Sequence, residues 1–157
     1  MERDFNDGNG LVAAHRHANG GGWVADNATV ETSAWVSGSA QVSGNARVYG
    51  DAQVSGNARV YGDAQVSGNA QVSGDAWVSG DAWVSGDAQV SATPVFIGGL
   101  RYPVTVTATH LFAGCQGHTF AAWRAFSVAD IKEMDGPRAV AFYPILLGII
   151  DLFAAGK

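Results

Sequence analysis

Between Trp23 and Phe96 apolar and polar positions alternate with a period of six. Valine returns at 24, 30, 36, 42, 48, 54, 60, 66, 72, 78, 84 and 90, and from Val30 onward alanine stands two places before each of them. Residues two apart on a strand share a face, so Ala and Val turn the same way and the residue between them turns outward. Each valine is followed by a small or polar residue and then, in most repeats, by Gly-Asn or Gly-Asp, pairs suited to a tight turn. One hexapeptide therefore predicts one short strand and one corner. Its repetition predicts a solenoid with a narrow Ala/Val interior.

Outside that stretch the pattern changes. Residues 1–10 are polar and rich in Gly, Asp and Asn, and predict a loose segment or one pinned by a partner chain. A short apolar run, Leu11 to Ala14, precedes the turn-prone residues 18–22; residues 11–22 are read as a cap over the solenoid's first edge. After Val95-Phe96-Ile97 the period fails. Residues 101–114 alternate as a hairpin turning near Ala108-Thr109. Thr119 caps a helix to about Phe126, and Ser127 with Asp130 forms the capping box of a second helix that Gly136-Pro137 ends. Residues 138–155 are apolar nearly all round and predict a buried helix, which Pro144 kinks or restarts. Their uninterrupted apolar run, 139–150, falls short of the ~20 residues that span a bilayer, so no membrane role is expected. Three segments result: 1–22, N-terminal segment and cap; 23–97, solenoid; 98–157, a small α+β domain with a hairpin and two to three helices.

The units VSGNAR and VYGDAQ resemble the hexapeptide motif, aliphatic-small-x-x-small-x, of left-handed parallel β-helices. The resemblance implies a left-handed course and three hexapeptides to each triangular coil, hence about four coils. Residues eighteen apart then stack: Trp23, Gln41, Arg59 and Trp77 on one face; Thr29, Arg47, Gln65 and Trp83 on a second; Trp35, Gln53, Gln71 and Gln89 on the third. Corner residues stack likewise, as in Asn27, Asn45, Asp63 and Asp81. Stacked Asn side chains hydrogen-bond along a ladder while adjacent carboxylates repel, so these columns are read as structural before they are read as a cation site.

Charge narrows the partners. The chain carries a net −5, concentrated in the solenoid, where Arg47 and Arg59 are the positive side chains. An acidic solenoid repels phosphate backbones, so nucleic-acid binding is not expected. Cys115 is the sole cysteine, which excludes an intrachain disulfide and suits a reducing compartment. The acidic, polar start MERDFNDGNG is unlike a signal peptide, and cytoplasmic synthesis is expected.

Candidate chemistry is sparse. Hexapeptide acyltransferases and γ-type carbonic anhydrases resemble this repeat but use a catalytic His or three His zinc ligands, and residues 23–97 hold no His, Cys or Lys. No catalytic residue, metal or cofactor is expected. His15 and His17 are read as loop residues ahead of a metal pair, and are the one route back to an acyltransferase. Cys115-Gln116-Gly117-His118, near His110, has zinc-like spacing without a second Cys; a buried thiol at a strand–helix junction is preferred. Arg47-Val48-Tyr49 and Arg59-Val60-Tyr61 each set a guanidinium and a phenol outward beside a buried valine. Such pairs suit a nucleotide or other planar anion, a subunit contact, or plain surface. Trp77, Trp83 and Trp123 are read as interface or interdomain packing residues.

Two regions together resemble a family of small hexapeptide-repeat proteins encoded by bacteriophages and prophages. One is Gly20-Gly21-Gly22-Trp23-Val24 leading into the VSGNAR/VYGDAQ units. The other is Arg101-Tyr102-Pro103-Val104-Thr105-Val106, then His110, Gly114-Cys115, His118-Thr119 and Trp123. The likeness covers most of 20–157; residues 1–19 differ from that family's longer, more basic N-terminal hairpin. It implies no catalytic residues. The wider left-handed β-helix family is usually trimeric, which implies a homotrimer that buries exposed aromatic side chains and the apolar last helix. The expected function is non-enzymatic binding of a host protein or a small anionic molecule. Its sharpest form is a viral sponge holding a nucleotide immune signal between subunits at Arg47/Tyr49 and Arg59/Tyr61, in the cytoplasm of an infected or lysogenic bacterium. A structural fibre or virion component and an acyltransferase using an N-terminal His are the alternatives.

Overall fold

The structure, a computed structural model, describes residues 1–155; the last two positions of the 98–157 segment lie outside the described residues. Residues 1–10 are not loose but pair and pack within the chain. Strand β1 (Glu2–Asp4) pairs antiparallel with β2 (Leu11–Arg16), and β2 with β3 (Trp23–Ala25). One aromatic anchor overrides the polar composition: Phe5 is buried against Ala14 and Ala25. Asp7 then fastens the loop to the second coil, accepting from Ser43 Oγ at 2.6 Å.

Each following hexapeptide gives one two-residue strand, as the spacing predicts. These are β4 (Thr29–Val30), β5 (Trp35–Val36), β6 (Gln41–Val42), β7 (Arg47–Val48), β8 (Gln53–Val54), β9 (Arg59–Val60), β10 (Gln65–Val66), β11 (Gln71–Val72), β12 (Trp77–Val78), β13 (Trp83–Val84) and β14 (Gln89–Val90). They build three parallel sheets, β3-β6-β9-β12, β4-β7-β10-β13 and β5-β8-β11-β14, with β1 and β2 extending the first. Register joins residues eighteen apart, Trp23 with Gln41, Gln41 with Arg59 and Arg59 with Trp77, so the three expected columns are the three faces of a triangular β-solenoid of about four turns. The repeat alanines and valines from Ala34 to Val90 are all buried. Backbone N–H groups bond to the next coil at a nearly constant 2.9 Å, as from Trp23 to Ala40, Thr29 to Ala46 and Trp35 to Ala52.

Corners are set by glycine. At Gly44 φ is +64°, and the turn closes with Ala46 N donating to Ser43 O. Positive φ at the first central residue only is the sign pattern of a type II′ turn. A Cβ on Gly44 would also lie 2.9 Å from Gly62 N of the next coil, so rung spacing forbids a side chain there as firmly as the dihedral does. Each corner column contains one amide-to-acid bond: Asn45 donates to Asp63, Asn57 to Asp75 and Asn69 to Asp87.

The C-terminal unit opens with an antiparallel sheet, β15 (Val95–Ile97), β16 (Val104–Val106), β17 (His110–Ala113) and β18 (Gln116–Thr119). The β16–β17 hairpin turns where expected. β15 and β18 are additions to the sequence reading. Gly117 stands opposite Phe112, whose ring lies 2.2 Å from where a Cβ would be, so β18 closes on β17 only through a glycine. Cys115 is exposed in the two-residue turn between them, not buried at a strand–helix junction.

Strand β17 joins the two units by alternation. Phe112 enters the core of the solenoid, while Leu111 and Ala113 face the helices. Threonine hydroxyls satisfy the last solenoid edge: Thr93 Oγ1 accepts from Trp77 N at 3.1 Å and Thr105 Oγ1 from Trp83 N at 3.2 Å.

Helix α1 (Phe120–Ala125) starts at the Thr119 cap, and α2 (Val128–Ala154) at the Ser127–Asp130 capping box. The break in α2 falls at Asp135-Gly136, where Gly136 takes φ +63° and ψ −150°, a conformation essentially confined to glycine; Pro144 lies within the resumed helix. Residues 138–155 are not buried all round, because the sheet covers one side only. Phe142, Leu146, Ile149 and Ile150 pack inward, whereas Ile145 and Leu152 are exposed. By length and composition α2 is apolar enough to cross a membrane, with a mean hydropathy of 1.5 in its best stretch. Of that stretch 17% is buried, on the face that packs against the sheet.

Candidate ligand-binding faces of the solenoid

Outward positions of the first sheet bring arginine and aromatic side chains together. On β9 the Arg59 guanidinium sits 5.0 Å from the centre of the Trp77 ring, one rung on. Tyr61, just past β9, meets the same indole edge-on with centroids 6.4 Å apart. Trp77 remains 45% exposed, so the cluster is open to solvent. It contacts Arg59 and Tyr61 rather than the C-terminal unit.

The other end of this sheet repeats the chemistry. Trp23 lies beneath two guanidiniums, Arg16 at 4.1 Å and Arg3 at 4.8 Å. Arg16 Nη1 donates to Gly21 O at 2.7 Å, and Arg3 Nε is buried with no hydrogen-bond partner. Sequence reasoning missed both arginines because their nearness to Trp23 depends on the β1–β2–β3 pairing, and β1 gives no alternation to find. From Trp23 to Trp77 the face spans three rungs, about 14 Å.

Arg47 and Tyr49 sit elsewhere. Arg47 is exposed on β7, in the neighbouring sheet, and Tyr49 donates its hydroxyl to Gln65 Oε1 at 3.1 Å. The pairs Arg47/Tyr49 and Arg59/Tyr61 therefore do not converge within one chain. Trp83 is half-buried at the solenoid's last edge. Trp123 belongs inside the C-terminal core, 2% exposed with Nε1 donating to Leu111 O at 2.7 Å, and so packs within its unit rather than between units.

The histidines are dispersed. His15 is exposed, with Nδ1 2.7 Å from Asp26 Oδ1, whereas His17, past the end of β2, is buried beside Asn19. Leaving the strand cancels the shared face that their spacing suggests. His118 is wedged edge-on against Trp123 and Phe126, each 4.9 Å away, and burial holds its pKa below the usual histidine value, helped by the charge of His110. Burial lowers His110 as well, against the pull of Asp87. Among the described residues no group of three or more His, Cys, Asp or Glu could hold a metal.

Residues 40–53, 52–68, 64–80 and 70–86 match the family model described as the YdcK beta solenoid repeat. The repeats are thus similar to that family's in sequence as well as in form. No curated protein and no solved structure matches the chain.

Proposed function

We propose that this is a non-enzymatic binding protein that works as a homotrimer and takes a small, planar, anionic molecule on its solenoid. The observation that carries the reading is the Arg59–Trp77–Tyr61 cluster: a cation and two aromatic rings, already assembled on an open face of an otherwise acidic body. Such a set stacks a flat ring and pairs its negative charge. Arg47 and Tyr49 lie on the adjoining face, so they complete the site only across a cleft between subunits. Exposed Trp35 and the bare side of α2, at Ile145 and Leu152, supply apolar area for such an association. Covered ends favour a closed oligomer over a fibre, since β1 and β2 overlie one end and Phe112 plugs the other. A nucleotide signal in a phage-infected or lysogenic bacterium fits this chemistry, with the protein acting in the cytoplasm as a sponge.

Native mass spectrometry of the full chain, with and without a panel of mono- and cyclic nucleotides, tests the reading. The expected result is a trimer carrying a nucleotide, with Arg59→Ala and Arg47→Ala each weakening uptake at least about tenfold while the trimer persists. Tight uptake by both variants, or a monomer, overturns it. A trimer that takes up none of the panel removes the anionic ligand and leaves a host protein as partner. A ladder of larger species favours a fibre instead.

A further inference from the structure

The C-terminal unit carries a half-open pocket of about 340 Å³ that the solenoid site does not use. We propose that it is a binding site for a compact apolar molecule, one ring or a short branched chain, bearing a hydrogen-bond donor.

Three elements make its walls. The β17–β18 turn contributes Cys115, α1 contributes Trp123, and α2 contributes both its halves, Met134 before the break and Phe142 and Leu146 after it. The break is what leaves the space. An unbroken α2 would carry these side chains along one straight axis, whereas the turn at Asp135-Gly136 sets the two halves apart around the void.

Two polar groups of the wall are already engaged. Trp123 Nε1 donates to Leu111 O, and the single Tyr143 hydroxyl proton is shared between the carbonyls of Trp123 and Phe126, while the Gln116 amide adds a polar group to the lining. With Trp123 and Tyr143 so engaged, little in the interior holds water, and an apolar pocket of this kind takes up apolar molecules. Its volume lies at the small end of ligand pockets.

The rim is different. There the Tyr102 hydroxyl donates to the Asp135 carboxylate, and the exposed Cys115 thiol lies in the same lining, in the turn whose Gly114 adjoins the Tyr102 ring. The carboxylate at the mouth accepts a hydrogen bond from a neutral donor, and the Arg101 guanidinium close to the Tyr102 hydroxyl offsets its charge, so the mouth favours a neutral ligand. The ligand class therefore differs in charge from the one proposed for the solenoid, and the two sites fail or stand separately.

Cys115 supplies the reporter, being the only thiol in the chain. The full-length protein is labelled with the neutral reagent monobromobimane, and the rate is followed as indole, toluene or indole-3-acetate is added. Indole is expected to slow labelling several-fold and saturably, toluene less, and indole-3-acetate least. Ala139→Phe, which fills the cavity from α2, removes the protection; Met134→Trp fills it from the other half should the first variant fold poorly. A wild-type labelling rate indifferent to indole overturns the site. Equal protection by indole-3-acetate overturns its polarity, and protection that survives in a folded, filled variant places the indole elsewhere.

Discussion

An amide one rung before a carboxylate recurs in the corner columns: Asn45 over Asp63, Asn57 over Asp75 and Asn69 over Asp87, at 3.2, 3.0 and 3.3 Å. Each Asn donates where each Asp can only accept, so the pairing relieves the like-charge repulsion that a plain Asp column would carry. Asn57→Asp should therefore cost more than its exposed position suggests, about 0.5–1 kcal/mol, with part of the loss recovered at high salt. Thermal melts at low and high ionic strength check this; equal melting of variant and parent would show the ladder to be inert. The columns themselves were legible from a count of eighteen. The bond from amide to carboxylate was not anticipated, because the columns were read for ladders of like residues and for repulsion between carboxylates.

At the scale of elements, local signals were read correctly and partner-dependent ones were not. The Thr119 cap, the Ser127–Asp130 box and the β16–β17 hairpin each lie within a few residues of their cause. Strand β1 depends on Phe5 finding Ala14 and Ala25, and β18 on Gly117 making room for Phe112. The same separation hid Arg3 and Arg16 from any sequence-based view of the Trp23 face, while Arg59 and Trp77 were placed together by the period alone. Strands β17 and β18 carry two histidines whose protonation is opposed by burial. His118 and His110 favour the neutral form in the folded chain and regain the ordinary value of 6.5 when unfolded. Below that value the unfolded chain binds more protons, so stability is complete above it and falls as the pH drops through it. The melting temperature should decline between about pH 7 and pH 5.5. His110→Gln with His118→Gln should flatten the slope; an unchanged slope in the double variant assigns the effect to other groups. The carboxylates held low, Asp7 and Asp130, act in a separate window below 3.8.

For the whole molecule, the relation between the two ends depends on how many repeats lie between them. Removing residues 65–82 takes out one complete coil and joins Ala64 to Trp83, a junction of the same kind as every other in the repeat. Removing only 65–70 joins Ala64 to Gln71 equally smoothly, yet it shifts β15–β18 and α2 by one sheet relative to β1 and β2. Both shortened chains should fold, each less stable than the parent for want of nearest-neighbour contacts. Only the eighteen-residue deletion should keep the proposed trimer, if its interface uses both ends of the chain on fixed faces. Circular dichroism and native mass measurements separate the outcomes, and an oligomer that survives the six-residue deletion would confine the interface to one end. The solenoid in this light resembles a threaded shaft. A duplicated hexapeptide turns the head against the foot by about a third of a revolution, so that such a gene can change which faces the two ends share while the Ala/Val core keeps its pattern.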